Sequence, residues 1–177
     1  MSTDEQLMLE FKQGSKEAFL ELFARYREPI YRFFRRRLDD MARAEELAQE
    51  TFLAVLRGIK RYEPRALVRT YLYGIATNLL LAELRKQSRE NPNDAVRNDP
   101  PQKEEPENVL WVRQAIGRLG GDEREVLMLR EYEQLSYAEI AALLRVPVNT
   151  VRSRLFRARM ALRDLLADKR KQDEALK

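Results

Sequence analysis

The stretch Ser136-Tyr-Ala-Glu-Ile-Ala-Ala-Leu-Leu-Arg-Val-Pro-Val-Asn-Thr-Val-Arg-Ser-Arg-Leu-Phe-Arg-Ala-Arg-Met-Ala-Leu162 reads as two helices around a tight turn. Ser136 can cap the first, with Glu139 at the third helical position as a capping box requires. Ile140, Ala141 and Leu144 give that helix a small apolar face. Arg145-Val146 forms the turn, and Pro147 stands where a helix can start without its missing N–H. On the second helix Val148, Val151, Leu155, Ala158 and Leu162 share one face, which packs inward. Asn149, Ser153, Phe156 and Arg157 lie opposite. Arg152, Arg159 and Arg163 flank one side and Arg154 the other. From Arg145 to Arg163 there are six arginines and no acid. Such a helix can set polar side chains on major-groove edges while flanking cations hold phosphates. The bland alternative, a solvated basic helix, would not require the preceding helix, the tight turn and the proline start.

Composition is consistent with helices throughout. The 177 residues include 6 Gly and 7 Pro, and 35% are charged. There is no Cys and no His, which excludes disulfides, Cys/His zinc sites and His-dependent nucleophilic catalysis. No Walker loop, phosphate cradle or metal cluster is present, so neither an enzyme nor a cofactor is expected. No signal peptide or bilayer-length apolar run is seen, so the expectation is a cytoplasmic protein without membrane insertion. Charge is uneven. Residues 1–86 hold 16 basic and 13 acidic residues, 87–108 hold 3 and 6, and 109–177 hold 14 and 10. Two basic blocks flank an acidic joint that carries four of the seven prolines. The reading is all-α: domains at 1–86 and 109–177, with 87–108 as a flexible linker.

In the first block, helices are expected at Asp4–Lys12, after Ser15 with a kink or split at Pro29, at Arg43–Arg61, and at Leu67–Lys86. The stripe Phe19, Leu22, Phe23, Tyr26 and Ile30 faces inward on the second. With Ala44, Leu47, Thr51, Val55 and Ile59 inward on the third, Glu45, Glu46, Gln49 and Glu50 point out. An acidic face on a DNA-binding protein suits a basic protein surface. On the fourth helix Val68, Leu72, Ile75, Leu79 and Ala82 are expected inside. Tyr71, Gly74, Asn78 and Arg85 recur on another face, beside Lys60, Arg61, Arg65 and Arg69. Aromatics and amides next to cations suit single-stranded DNA; Tyr71 and Tyr73 as core-edge aromatics is the competing reading. In the second block, helices are expected at Val109–Arg118, Asp122–Tyr132, Ser136–Leu144 and Pro147–Ala167, with Gly120-Gly121 between the first two.

Three of these stretches resemble the extracytoplasmic-function sigma factors of bacterial RNA polymerase. Ser136–Leu162 is similar to the family's −35-reading domain. Ala44-Glu-Glu-Leu-Ala-Gln-Glu-Thr-Phe-Leu53 is similar to its polymerase-binding helix. Lys60-Arg-Tyr-Glu-Pro-Arg-Ala-Leu-Val-Arg-Thr-Tyr-Leu-Tyr-Gly-Ile-Ala-Thr-Asn-Leu79 is similar to its −10 element. The family usually has Leu-Pro where this chain has Leu119-Gly-Gly121, and commonly Trp at Tyr71. The resemblance implies that Arg152, Ser153, Phe156 and Arg157 meet the −35 element, with Thr150 near the backbone; the neighbouring Asn149 and Arg154 belong to the same surface. It implies that Lys60, Arg61, Arg65, Arg69, Tyr71 and Asn78 meet the −10 strand. Glu45, Glu46, Gln49 and Glu50 would dock on the β′ clamp helices of core RNA polymerase, with further contact to the β subunit. Promoter DNA and an anti-sigma factor are the other implied partners. A LuxR-type regulator with a similar reader, and a helical adaptor whose arginine helix binds protein or membrane, stay open on the residues alone.

Overall fold

A computed structural model describes residues 2–90 and 107–175. They are all-helical and divide into two compact units, one within residues 1–95 and one within 96–177. The first holds α1 (Asp4–Lys12), α2 (Lys16–Arg35), α3 (Met41–Gly58), a 3-10 turn (Ile59–Arg61) and α4 (Val68–Glu90). The second holds α5 (Glu107–Gly117), α6 (Gly121–Glu131), α7 (Tyr137–Leu144) and α8 (Val148–Ala175). Gln87–Glu90, read as linker, continues α4, and Glu107 already belongs to α5. The rest of the expected linker lies outside the described residues.

The first unit is a bundle in which α1 packs on α2, α2 on α3 and α3 on α4, with α4 also touching α1 and α2. Met8, Ile30, Phe33, Phe34, Leu47 and Val68 fill its centre. Thr3 caps α1 in a capping box, Ser15 caps α2 through the Ala18 amide, and Asp40 caps α3. Gly14, at φ 106°, makes the turn between α1 and α2 in a region closed to most side chains. Two expectations need correction. α2 runs through Pro29 without a break. Proline removes one helical hydrogen bond, but Ile30, Phe33 and Phe34 just beyond it are fully buried, which favours continuing the helix over splitting it. The buried arc of α4 is also wider than a single stripe. Val68 and Leu72 are buried as expected, yet Ile75 and Leu79 are half-buried and Ala82 is exposed. Tyr73, Ala76, Thr77, Leu80 and Glu83 are buried instead, because α4 packs against three neighbouring helices.

In the second unit α5, α6 and α7 all pack on α8. Val126, Leu129, Leu135, Ile140, Val151 and Leu155 form its core. Ser136 and Glu139 make the reciprocal capping box, at 3.2 and 2.8 Å. Arg145 closes α7 in the left-handed region, φ 55° and ψ 44°, and the Val146 amide bonds back to the Ala141 carbonyl at 3.1 Å. The Pro147 carbonyl accepts from the Thr150 amide at 2.9 Å. Pro147 thus stands just before α8, one position ahead of its expected place. Val148 is exposed and not part of the packed stripe, since the first residue of α8 still faces the turn.

A left-handed Arg is disfavoured by about 1 kcal/mol, and glycine would lose a similar amount through its freer unfolded state. Arg145→Gly should therefore leave stability within about 0.5 kcal/mol of the parent. Arg145→Val, branched at Cβ, should cost about 1–3 kcal/mol. Urea unfolding followed by circular dichroism separates the two; a harmless valine would mean that the turn relaxes.

Candidate functional site

Three side-chain surfaces stand out. The first is the outer face of α3. Glu45, Glu46 and Gln49 are exposed and Glu50 is half-buried, while Ala44, Leu47, Thr51 and Val55 are buried behind them. The acids are not a plain solvated row. Arg43, one turn earlier, reaches Glu46 at 2.8 Å and Glu50 at 3.2 Å. Its Nε also donates to Glu83 of α4 at 2.9 Å. The Glu83 side chain is only 8% exposed, and its other oxygen accepts from Gln87 at 3.1 Å. The Arg43 guanidinium is held charged well above its ordinary range, first by Glu83 and then by Glu46. One cation thus ties the acidic face of α3 to α4.

The second surface is the 3-10 turn, the loop after it and the start of α4. Two side chains from α1 hold this segment. Lys12 Nζ donates to the Tyr62 carbonyl at 2.7 Å. Glu5 accepts from the Val68 amide at 3.3 Å, so α1 supplies the cap at the start of α4. Between these anchors Lys60, Arg61 and Arg65 are exposed, and Arg65 pairs locally with Glu63 at 2.5 Å. Arg69 is half-buried at the first turn of α4. Tyr71 is half-buried and packs edge-on against the buried Tyr62, ring centres 5.1 Å apart. Burial raises the Tyr71 hydroxyl above its ordinary range, so it stays protonated as a donor. A side chain at Gly58 would meet that hydroxyl at 3.3 Å. Asn78 and Arg85 are exposed on the same side of α4 as Tyr71, away from its buried arc. Tyr73 turns the other way, into the core against Phe33, and is a packing residue.

The third surface is the outer face of α8. Val151, Leu155 and Ala158 are buried with at most 1% exposure. Asn149, Arg152, Ser153 and Arg157 are exposed, Thr150 is half-buried, and Phe156 stands out at 65% exposure. An aromatic ring that open, on a helix with a packed opposite face, has no structural task inside the unit. Arg152 leans on the Asn149 amide oxygen at 3.3 Å, and the Ser153 hydroxyl bonds the Thr150 carbonyl at 3.0 Å. The arginines are more engaged than a bare basic helix would be. Arg157 pairs with Glu123 at 3.0 Å and Arg159 with Glu131 at 2.9 Å. Arg154 is only 20% exposed and pairs with Asp122, so it leans on α6.

Among the described residues no group of acids, Cys or His could hold a metal ion. No described helix is long and apolar enough to cross a membrane.

Comparison with known proteins shows the family. Residues 22–90 match the family described as sigma-70 region 2, and residues 110–162 match sigma-70, region 4. The chain is 34% identical over 176 residues to the RNA polymerase sigma-H factor of Pseudomonas aeruginosa, spanning 90% of this chain and 91% of that one. It is 31% identical over 176 residues to the extracytoplasmic-function RNA polymerase sigma factor SigW of Bacillus subtilis, spanning 89% and 93%. The chain belongs to the extracytoplasmic-function sigma factors. As a sigma factor it is a DNA-recognition protein of transcription, directing promoter-specific initiation by RNA polymerase. In fold it is similar to CnrH, solved in complex with the cytosolic domain of CnrY, with a TM-score of 0.73, 24% identity and coverage of 94% and 99%. It is also similar to the sigma factor RpoE of Bartonella quintana, solved with the anti-sigma factor NepR, with a TM-score of 0.69, 24% identity and coverage of 84% and 96%.

Sequence reading missed Arg43, Glu83 and Glu123 in this sigma factor, each a charged residue whose partner lies on another helix. Burial of Glu83 makes its pairing a matter of stability. Arg43→Ala leaves that carboxylate short of its cation and should cost about 1–3 kcal/mol. Glu46→Ala, at an exposed end of the same network, should stay within about 0.5 kcal/mol of the parent. Equal losses in urea titrations would show that Glu83 draws no support from Arg43.

Proposed function

We propose that the three surfaces divide promoter recognition among them. The acidic face of α3 (Glu45, Glu46, Gln49 and Glu50) docks on a basic surface of core polymerase, the β′ clamp helices, with a further contact to the β subunit. The segment Lys60–Arg69, with Tyr71 and Asn78, captures an unpaired base of the −10 element while its cations hold the strand. The outer face of α8 reads the −35 duplex through Asn149, Arg152, Ser153, Phe156 and Arg157, with Thr150 at the backbone. Arg154 serves that face from its flank, at phosphates, once it leaves Asp122. The part of the acidic stretch 87–108 that lies between α4 and α5 joins the two domains and sets the reach between the two promoter elements. An anti-sigma factor is a further partner, as for the sigma factor RpoE of Bartonella quintana, solved with NepR. The protein works in the cytoplasm, needs no cofactor and performs no bond chemistry of its own.

The observation that carries this reading is the division of α8 into a face with no exposure and an opposite face of arginine, serine, asparagine and one open aromatic ring. Arginine pairs well with guanine edges, and an apolar ring suits a thymine methyl. The acids of α3 lie in a separate part of the chain and would repel a duplex, which supports a protein partner for them.

Glu45 tests docking more cleanly than Glu46 or Glu50, which share Arg43. Glu45→Lys places a cation on the face that meets the polymerase and should weaken holoenzyme assembly at least about tenfold, with the helical spectrum unchanged. Native gel titration against core polymerase reads this directly. Unaltered assembly removes the α3 face from docking.

Strand opening depends on Tyr71 and Asn78. Alanine at either position should slow open-complex formation on linear promoters about tenfold, in line with about 1–3 kcal/mol for a lost base–aromatic contact. A promoter with a pre-melted −10 bubble should recover most of the rate. Wild-type opening by both variants would return Tyr71 to the role of a packing aromatic beside Tyr62.

A further inference from the structure

Arg157 is the residue through which α8 would most directly read a base, and in this structure it already holds an acceptor. Its Nε donates to Oε1 of Glu123 at 3.0 Å. Glu123 stands in the first turn of α6, where Gly120 precedes the helix without giving it a side-chain cap. Two further observations fix this carboxylate in place. Its second oxygen lies 2.7 Å from where a Cβ on residue 120 would be, so the carboxylate fills the space that Gly120 leaves empty. It is also held below the ordinary carboxylate range, first by the hydrogen bond from Arg157 and then by its own backbone amide. Glu123 is thus a seated anion, ionised at neutral pH and aimed at the outer face of α8. A carboxylate offers a guanidinium the same oxygen acceptors that a guanine edge or a phosphate offers.

We propose that Glu123 is a built-in competitor for DNA, a latch that occupies Arg157 in the free chain and is displaced when α8 engages a duplex. The inference rests on the −35 reading of α8 and adds a residue to it. The latch lowers affinity for every duplex, since each must first take Arg157 from Glu123. It sets how readily the free protein binds DNA and leaves the choice among sequences to α8. Gly120 is part of the device, because a methyl group there displaces the flexible end of Glu123. Its backbone, at φ −56° and ψ 147°, accepts alanine.

A double-mutant cycle on the full-length chain decides the matter. The probe is a duplex enriched by the wild-type chain from a randomised pool, with a scrambled duplex beside it, at one fixed salt concentration. Glu123→Gln should tighten binding to the enriched duplex by about two- to fivefold, the range that an exposed ion pair can give. Gly120→Ala, which leaves the net charge unchanged, should shift affinity in the same direction. Both gains should collapse in the Arg157→Ala background. Equal gains with and without Arg157 overturn the latch and make Glu123 a general repulsive charge. A Gly120→Ala chain no tighter than wild type counts equally against it. Failure of the underlying reading looks different: the wild-type chain enriches no sequence, or Arg157→Ala binds the enriched duplex as well as the parent does. Thermal melts of the wild type, the three single variants and the two double variants confirm that each is folded.

Discussion

Val151, Leu155 and Ala158 lock the rotation of α8, and what the second unit can offer to DNA follows from that lock. Burial of the valine and the leucine alone is worth about 1.5–3 kcal/mol each. Turning the helix by one residue would exchange them for Arg152 and Phe156, and would drive a charge into a core with no partner for it. The reading face is therefore as well defined as the core, although none of its residues is buried. The same logic explains Asp122, Glu123 and Glu131 of α6. They pair with Arg157 and Arg159, which the lock leaves exposed, and with the partly buried Arg154, which adds little stability per pair but sets the side-chain directions.

The first unit depends on a different kind of constraint, polar ties between elements far apart in sequence. Arg43 and Glu83 join the proposed docking helix to the helix behind the −10 surface, so a displacement of either is felt by the other. Lys12 and Glu5 fix the two ends of the segment between them. A loop with this many cations and a proline could take many shapes. Its ends are held by a hydrogen bond to the Tyr62 carbonyl and by the cap on the Val68 amide, and the freedom that remains is confined to the exposed residues in the middle.

Much of this was legible because it is local. Ser15 and Ser136 announce helix starts through their own hydroxyls, and the Ser136–Glu139 box is read from spacing alone. The turn at Arg145 and the inward stripe of α8 follow from three or four residues at a time. What was not legible is what depends on several helices together. A single stripe is too narrow for α4, because a helix with three neighbours buries more than one face, and Thr77 and Glu83 look like surface residues until those neighbours are in place. Pro29 reads as a breaker, yet the packing of Ile30, Phe33 and Phe34 outweighs its missing bond. Gln134 adopts a left-handed backbone, φ 58°, that no residue pattern announced. The pairing of Glu123 with Arg157 spans 34 positions and leaves no periodic trace.

The cap that Glu5 places on Val68 has a consequence for how the chain is made. The two residues are 63 positions apart. At about 5–20 residues per second, α1 leaves the ribosome roughly 3–12 s before the helix it will cap. In that interval α2 emerges first and then α3, and the bonds from Arg25 and Tyr26 to Asp4 give α1 an early partner in α2. The newborn chain can thus shelter Leu7 and Met8 in a helical hairpin first, and add the segment around Lys60–Arg69 and α4 afterwards.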